Sequence, residues 1–191
     1  MFDYLGVLLS IVLGLALTHV LFGLAHIIQM RSTIRVYWVQ IVWAANVILF
    51  VLAVWWGMFW WRQLPEWHFE QFVFLIGYAI VLFMFAAVLF PMHVPENLDC
   101  EAYFFANRRW FFSLFALALL YDVPETVAKQ TAGLRGVPVQ YGIFIPVAMA
   151  LAATGLLTTN RRIHGAISLA FLVSILSYET LTVIDRVKAS G

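Results

Sequence analysis

The sequence predicts an all-α fold, an integral membrane helical bundle that occupies residues 1–191 as one domain. Three observations carry this prediction. Apolar residues make up 64% of the 191-residue chain and charged residues only 11%, against roughly 45–50% and about 25% in soluble domains. So few charges cannot clothe a water-facing surface. The apolar residues gather in runs of about 20, the length that crosses a hydrocarbon core as a helix. None of these runs alternates with the period of two that a membrane barrel strand requires.

Six runs meet the length requirement, predicting six transmembrane helices. The first is Tyr4 to Ile28. Met1-Phe2-Asp3 lacks the positive region of a cleavable signal, so this helix is expected to stay. Within it Gly6, Ser10 and Gly14, followed by Thr18, recur every fourth residue and form a stripe that lets another backbone approach closely. That stripe is a predicted helix-packing face, either inside one bundle or between copies. The second run, Val36 to Trp61, follows Arg31 and Arg35 and ends in Trp55, Trp56, Trp60 and Trp61, with Trp67 just beyond. Indoles at that position form an interfacial girdle. The third run, Phe69 to Phe90, begins after Arg62, Pro65 and Glu66.

The fourth run, Trp110 to Ala128, follows the longest polar link, Pro91 to Arg109. Its uninterrupted part, Trp110 to Tyr121, has 12 residues before Asp122-Val123-Pro124-Glu125. That is short for a crossing, so the alternative fold has five spanning helices and a re-entrant fourth segment. Continuing the helix to Ala128 restores a spanning length. The fifth run, Val139 to Thr158, carries Pro146 and the small residues Ala148, Ala152 and Gly155; the sixth is Ile163 to Ile184.

With six crossings, Arg31, Arg35, Arg108, Arg109, Arg161 and Arg162 share one side, and Arg62, Lys129, Arg135, Arg186 and Lys188 the other, six against five. The positive-inside rule then puts both termini, and with them Asp3 and Lys188, on the outer, periplasmic face. A re-entrant fourth segment would move Lys129, Arg135, Arg186 and Lys188 inside and give eight against three. Charge favours that version and length favours six helices.

Several functions are excluded or disfavoured by residue content. A net charge of +1 leaves no basic footprint for nucleic acid, and the single cysteine, Cys100, cannot close an intrachain bridge. There is no P-loop, dinucleotide turn, H-E-x-x-H or G-x-S-x-G, so no catalytic residue is assigned and an enzyme is not expected. Six crossings bring His26, His93 and His164 to one membrane surface near Glu96, Asp99 and Cys100, weak candidates for a metal site that would need three ligands to converge. A haem on His19 lacks a second histidine at its depth, and no cofactor is predicted.

The acids inside the helices point to a polar cavity instead. Asp122 and Glu179 stand at one level, roughly 20 Å from the arginine-paired surface at helical rise, with Asn46 and Tyr78 somewhat deeper. Such residues are functional by default, here for a proton, cation or polar solute. The structural alternative has Asp122 capping a break before Pro124 and Glu179 pairing with Arg186.

The opening Tyr4-Leu5-Gly6-Val7-Leu8-Leu9-Ser10-Ile11-Val12-Leu13-Gly14-Leu15, the block Arg108-Arg109-Trp110-Phe111-Phe112, and the stretch Gly155-Leu156-Leu157-Thr158-Thr159-Asn160-Arg161-Arg162-Ile163-His164 carry a resemblance. Together they resemble small uncharacterised bacterial multi-pass inner-membrane proteins, a family with no assigned activity. The resemblance implies a bacterial inner-membrane setting and no residue roles. The expected function is an oligomeric channel or transporter for an ion or small polar solute, working through an outward-facing polar cavity. The alternatives are an accessory or structural subunit of a larger membrane complex and a haem- or metal-binding membrane sensor. The expected partners are the lipid bilayer and either further copies or a larger membrane complex.

Overall fold

A computed structural model describes residues 2–93, 95 and 97–190, with side chains as far as 184. The described residues form six α-helices: α1 (Phe2–Gln29), α2 (Trp38–Met58), α3 (Phe69–Ala87), α4 (Cys100–Thr131), α5 (Tyr141–Leu157) and α6 (Arg161–Ser190). A 3-10 turn, Phe59–Gln63, continues α2. All but α5 are long and apolar enough to cross a membrane, as in a multi-pass membrane protein. The fold is the predicted all-α bundle.

Two segments differ from expectation. The fourth crosses as its extended length predicts, with no re-entrant loop, but starts earlier: α4 is the longest described helix, with 32 residues, and continues past Pro124. It begins ten residues before Trp110 because the Asp99 carboxylate accepts the backbone N–H of Ala102 at 3.0 Å and caps it. Arg108 and Arg109 therefore lie within the helix and not at its start. It ends where Gly133 adopts φ +68, a left-handed conformation that costs glycine little. The short helix is instead α5, whose 17 residues reach roughly 26 Å at helical rise.

Each helix packs mainly against two others, and the contacts close a ring in the order α1, α3, α4, α5, α6, α2. Helices consecutive in the chain alternate in direction, so the ring neighbours α1 and α3, and α2 and α6, run parallel. The bundle therefore has an acid end, where Asp3, Trp61, Glu125 and Tyr141 lie, and an arginine end, where Arg35, Asp99, Arg108 and Arg161 lie. Arg62, Lys129 and Arg135 sit at the acid end, which excludes the distribution that a re-entrant fourth segment requires. Arg186 and Lys188 are outside the described side chains.

Among the described residues, aromatic side chains fill the middle of the ring. Trp43 projects from α2 into its centre, with ring centroids 5.0 Å from Phe111, 5.6 Å from Phe115 and 5.8 Å from Phe171. Phe85 stacks on Phe115 at 5.3 Å. Edge-to-face and offset contacts of this kind stabilise by about 0.5–1.5 kcal/mol per pair. In lipid, where apolar burial gives little net drive, such packing is the main attraction between helices.

Close approach is tightest at two glycines. An added Cβ at Gly155 would come within 2.4 Å of the Phe112 ring, and one at Gly23 within 2.3 Å of the Phe90 ring. Gly155 thus packs inside the bundle with Ala148 and Ala152, all buried. The Gly6, Ser10, Gly14 stripe does not. The buried face of α1 is Leu5, Leu9, Leu13, Ala16 and Val20, and Gly14 has nothing within 4 Å of its Cβ position. Gly155→Ala should destabilise the detergent-solubilised protein by about 1–3 kcal/mol in thermal unfolding, with partial recovery on adding Phe112→Leu. A melting curve unchanged by Gly155→Ala would show that α4 and α5 are not in contact there.

Candidate functional site

The acid end holds a buried polar cluster built mainly by α4. Because that helix continues past Pro124, Asp122, Glu125 and Lys129 share one face at spacings of three and four. Lys129 Nζ lies 2.5 Å from Glu125 Oε1, with both side chains no more than 6% exposed. Trp61, on the 3-10 turn after α2, donates its indole N–H to the same oxygen at 2.8 Å. Lys129 Nζ also lies against α2 at Gly57, 3.4 Å from where a Cβ would sit. Two buried charges persist only when they answer each other and their remaining hydrogen bonds are met.

Asp122 is held from two other helices. Tyr78 of α3 donates its hydroxyl to Oδ1 at 3.0 Å, and Tyr141 of α5 donates to Oδ2 at 2.7 Å. Tyr121 stacks on Tyr78 with centroids 5.7 Å apart, its hydroxyl 3.2 Å from the Cβ position of Gly77. The carboxylate therefore joins α3, α4 and α5. It caps nothing, since α4 does not break at Pro124.

Beside these groups lies a cavity of about 60 Å³ lined by Asp122, Glu125, Lys129, Arg135 and Glu179, with Phe50 and Ile175 on its deep side. At about 15 Å³ per water that is space for roughly four waters. Asp122 and Glu179 thus meet at one cavity, and Tyr78 backs it through Asp122. Asn46 stands apart: buried between α2 and α6, it donates Nδ2 to the carbonyl of Ser168 at 2.8 Å. Pairing of Glu179 with Arg186 falls outside the described side chains.

Sequence reasoning missed Glu125, Lys129, Tyr141 and the role of Trp61. The signal was present in Glu125 and Lys129, an i,i+4 acid–base pair that faces one way once the helix is continued. Trp61 is only 2% exposed and so leaves the girdle, whereas Trp56 is an exposed apolar residue. Arg135 lies 5.9 Å over the Trp60 ring, a cation–π contact.

The arginine end carries a second, open pocket of about 410 Å³. Arg35 pairs with Asp99 at 3.2 Å, Arg161 pairs with Glu101, and Arg108 donates Nε to the Thr158 carbonyl at 3.1 Å. The Ala102 N–H, reinforced by Arg35, holds the Asp99 carboxyl below its usual range. The candidate metal residues do not converge there. His93 is exposed, His164 is fully buried with Nε2 3.0 Å from the Thr158 carbonyl, and Glu96 is outside the described residues. No group of three His, Cys, Asp or Glu among the described residues could hold a metal ion. His19 directs Nε2 to the Phe90 carbonyl at 3.0 Å.

No family model, curated protein or solved structure matches the chain.

Glu125→Leu or Lys129→Leu alone should lower stability by about 3 kcal/mol, because each leaves an unanswered buried charge. The double variant should melt close to the parent protein. A double-mutant cycle in detergent checks this; additive losses would mean that the two charges do not interact.

Proposed function

We propose that the protein takes up a proton or a small cation into the acid-end pocket as the binding step of an ion-translocating membrane protein. One observation carries the reading: three acids from two helices, Asp122, Glu125 and Glu179, share a small cavity with Lys129 and Arg135 inside an apolar bundle. Carboxyl groups bind protons and cations, and three of them line this one small space. The cavity's size limits the solute to water, a proton or one small ion.

The bacterial inner membrane is the proposed setting, with both termini periplasmic and the acid end therefore outward. Support comes from charge: six basic residues, Arg31, Arg35, Arg108, Arg109, Arg161 and Arg162, belong to the arginine end, against five, Arg62, Lys129, Arg135, Arg186 and Lys188, at the other. Self-association is proposed through the outer groove of about 550 Å³ between α1 and the end of α2, where Gly6 lies and Ser10 accepts the Trp55 indole N–H at 3.2 Å. Gly6→Leu, which fills the groove, should reduce cross-linked dimer in membranes without changing monomer melting; undiminished cross-linking would remove this interface.

Infrared difference spectroscopy between neutral and acidic pH tests the pocket. The expected result is a carboxylic-acid band that appears on acidification and is lost in Asp122→Asn. Spectra identical in parent and variant would mean that Asp122 takes up no proton and serves only to tie three helices together.

A further inference from the structure

One face of α6 presents Arg161, His164, Ser168, Phe171, Ile175 and Glu179 in succession, at spacings of three and four. From Arg161 to Glu179 that face rises about 27 Å, nearly the thickness of a hydrocarbon core. Opposite it, α2 and the residue before it offer Tyr37, Trp43, Asn46 and Phe50 at intervals of three to six. The two helices are in contact along this seam, where Asn46 bonds to Ser168 and Gly165 admits the ring of Trp38.

Within the seam, four buried polar atoms lack a hydrogen-bond partner among the described residues: Tyr37 Oη, Trp43 Nε1, Asn46 Oδ1 and His164 Nδ1. Orphaned polar atoms are rare in native interiors and each costs about 1–3 kcal/mol. Four along one seam are accounted for if the seam holds a file of waters, each with polar partners to bind it. The file would meet an open pocket at each end. At the arginine end Tyr37 and His164 both pack against Phe104 and Phe105, beside Glu101. At the acid end the cavity reaches Phe50 and Ile175. Between Phe50 and Asn46 lies one helical turn, about 6 Å, where Phe50 and Phe171 face each other at 6.2 Å.

We infer that the α2–α6 seam is a proton path between the acid-end pocket and the arginine-end pocket, with His164 as its titratable stop and the Phe50–Phe171 pair as its dry constriction. This rests on the proposed uptake at the acid end and names the proton as the ion. A hydrated cation has no passage beside Trp43 and its ring of phenylalanines, whereas a proton moves along hydrogen bonds without displacing heavy atoms.

The transfer balances. Nε2 of His164 bears the hydrogen that it donates to the Thr158 carbonyl, leaving Nδ1 as the acceptor. Nδ1 takes the proton from one water and releases the same proton to the next, so the ring ends as it began. The charged or titratable groups around this stop are Arg108 and Glu101 from α4, Arg161 one turn earlier on α6, and Tyr37 before α2. Burial and the neighbouring Glu101 push the Tyr37 phenol up to about 12, so it remains an O–H donor at neutral pH. The flow needs no reductant or oxidant and follows the proton gradient or membrane potential.

The full chain in liposomes of neutral phospholipid, with a pH dye inside and a potassium diffusion potential applied, tests the path. The expected result is internal acidification well above protein-free liposomes, cut about tenfold or more by His164→Gln and by Asn46→Leu. Phe171→Ala, which widens the constriction, should raise the rate, and sodium uptake should stay at the protein-free level. Two results overturn the proposal: parent flux equal to protein-free liposomes, or His164→Gln and Asn46→Leu both conducting like the parent. A persisting Asp122 infrared band with no flux rejects the path and leaves the pocket standing. Loss of band and flux together rejects both.

Discussion

Lys129 places its ammonium group 2.5 Å from a Glu125 oxygen where both side chains are almost fully buried, and the architecture of the acid end follows from that pair. Moving one such ion out of water costs several kcal/mol even after relaxation. A partner must therefore be supplied, and supplied in place. α4 has to stay helical through Pro124 so that residues 125 and 129 face the same way. The turn after α2 brings the Trp61 N–H to the shared oxygen, and the ammonium lies beside Gly57. One turn earlier on the same face, Asp122 draws Tyr78 and Tyr141 inward and ties α3 and α5 to α4. Ion pairs of this kind contribute little net stability compared with well-packed apolar side chains. Their presence in an apolar bundle is a better argument for function than for stabilisation.

The rest of the interior obeys a different constraint. Inside lipid, apolar side chains gain little by leaving the acyl chains, so helices are held by close packing and by polar contacts. Large rings set against glycines meet the first need, as Phe112 at Gly155 and Phe90 at Gly23 demonstrate. The second need is met off-centre: the aromatic plug fills the middle of the ring, and polar groups are displaced to the α2–α6 seam and the two ends. A pore down the ring axis is excluded by this packing, and any route across the bundle must run along a helix–helix seam.

The helical class and the location of all six helices were legible in the sequence, because long apolar runs bounded by arginines and prolines admit few other folds in a membrane. The start of α4 was less so. Arg108 and Arg109 read as a membrane surface, and only the Asp99 cap, ten residues upstream, marks the true start. The fourth run, continued through Pro124, ends at Ala128, one residue short of Lys129, which hides Glu125 and Lys129 as a facing pair. Asp122 and Glu179 could be matched by counting residues along helices, a one-dimensional calculation. Placing Tyr141 and Trp61 against those acids required knowing which helices are neighbours. Nothing in nearly uniform apolar faces encodes the order α1, α3, α4, α5, α6, α2; it emerges from the shapes of glycines and aromatic rings across the whole bundle.

The most direct test of this account is a density map of the protein in lipid nanodiscs, at a resolution that separates side chains around Pro124. The account predicts a continuous α4 as far as Thr131, with the Trp61 indole N–H and the Lys129 ammonium on one Glu125 oxygen and the Tyr78 and Tyr141 hydroxyls on Asp122. A helix broken at Pro124, with Lys129 turned out to the membrane surface and Asp122 facing lipid or bulk water, would contradict it.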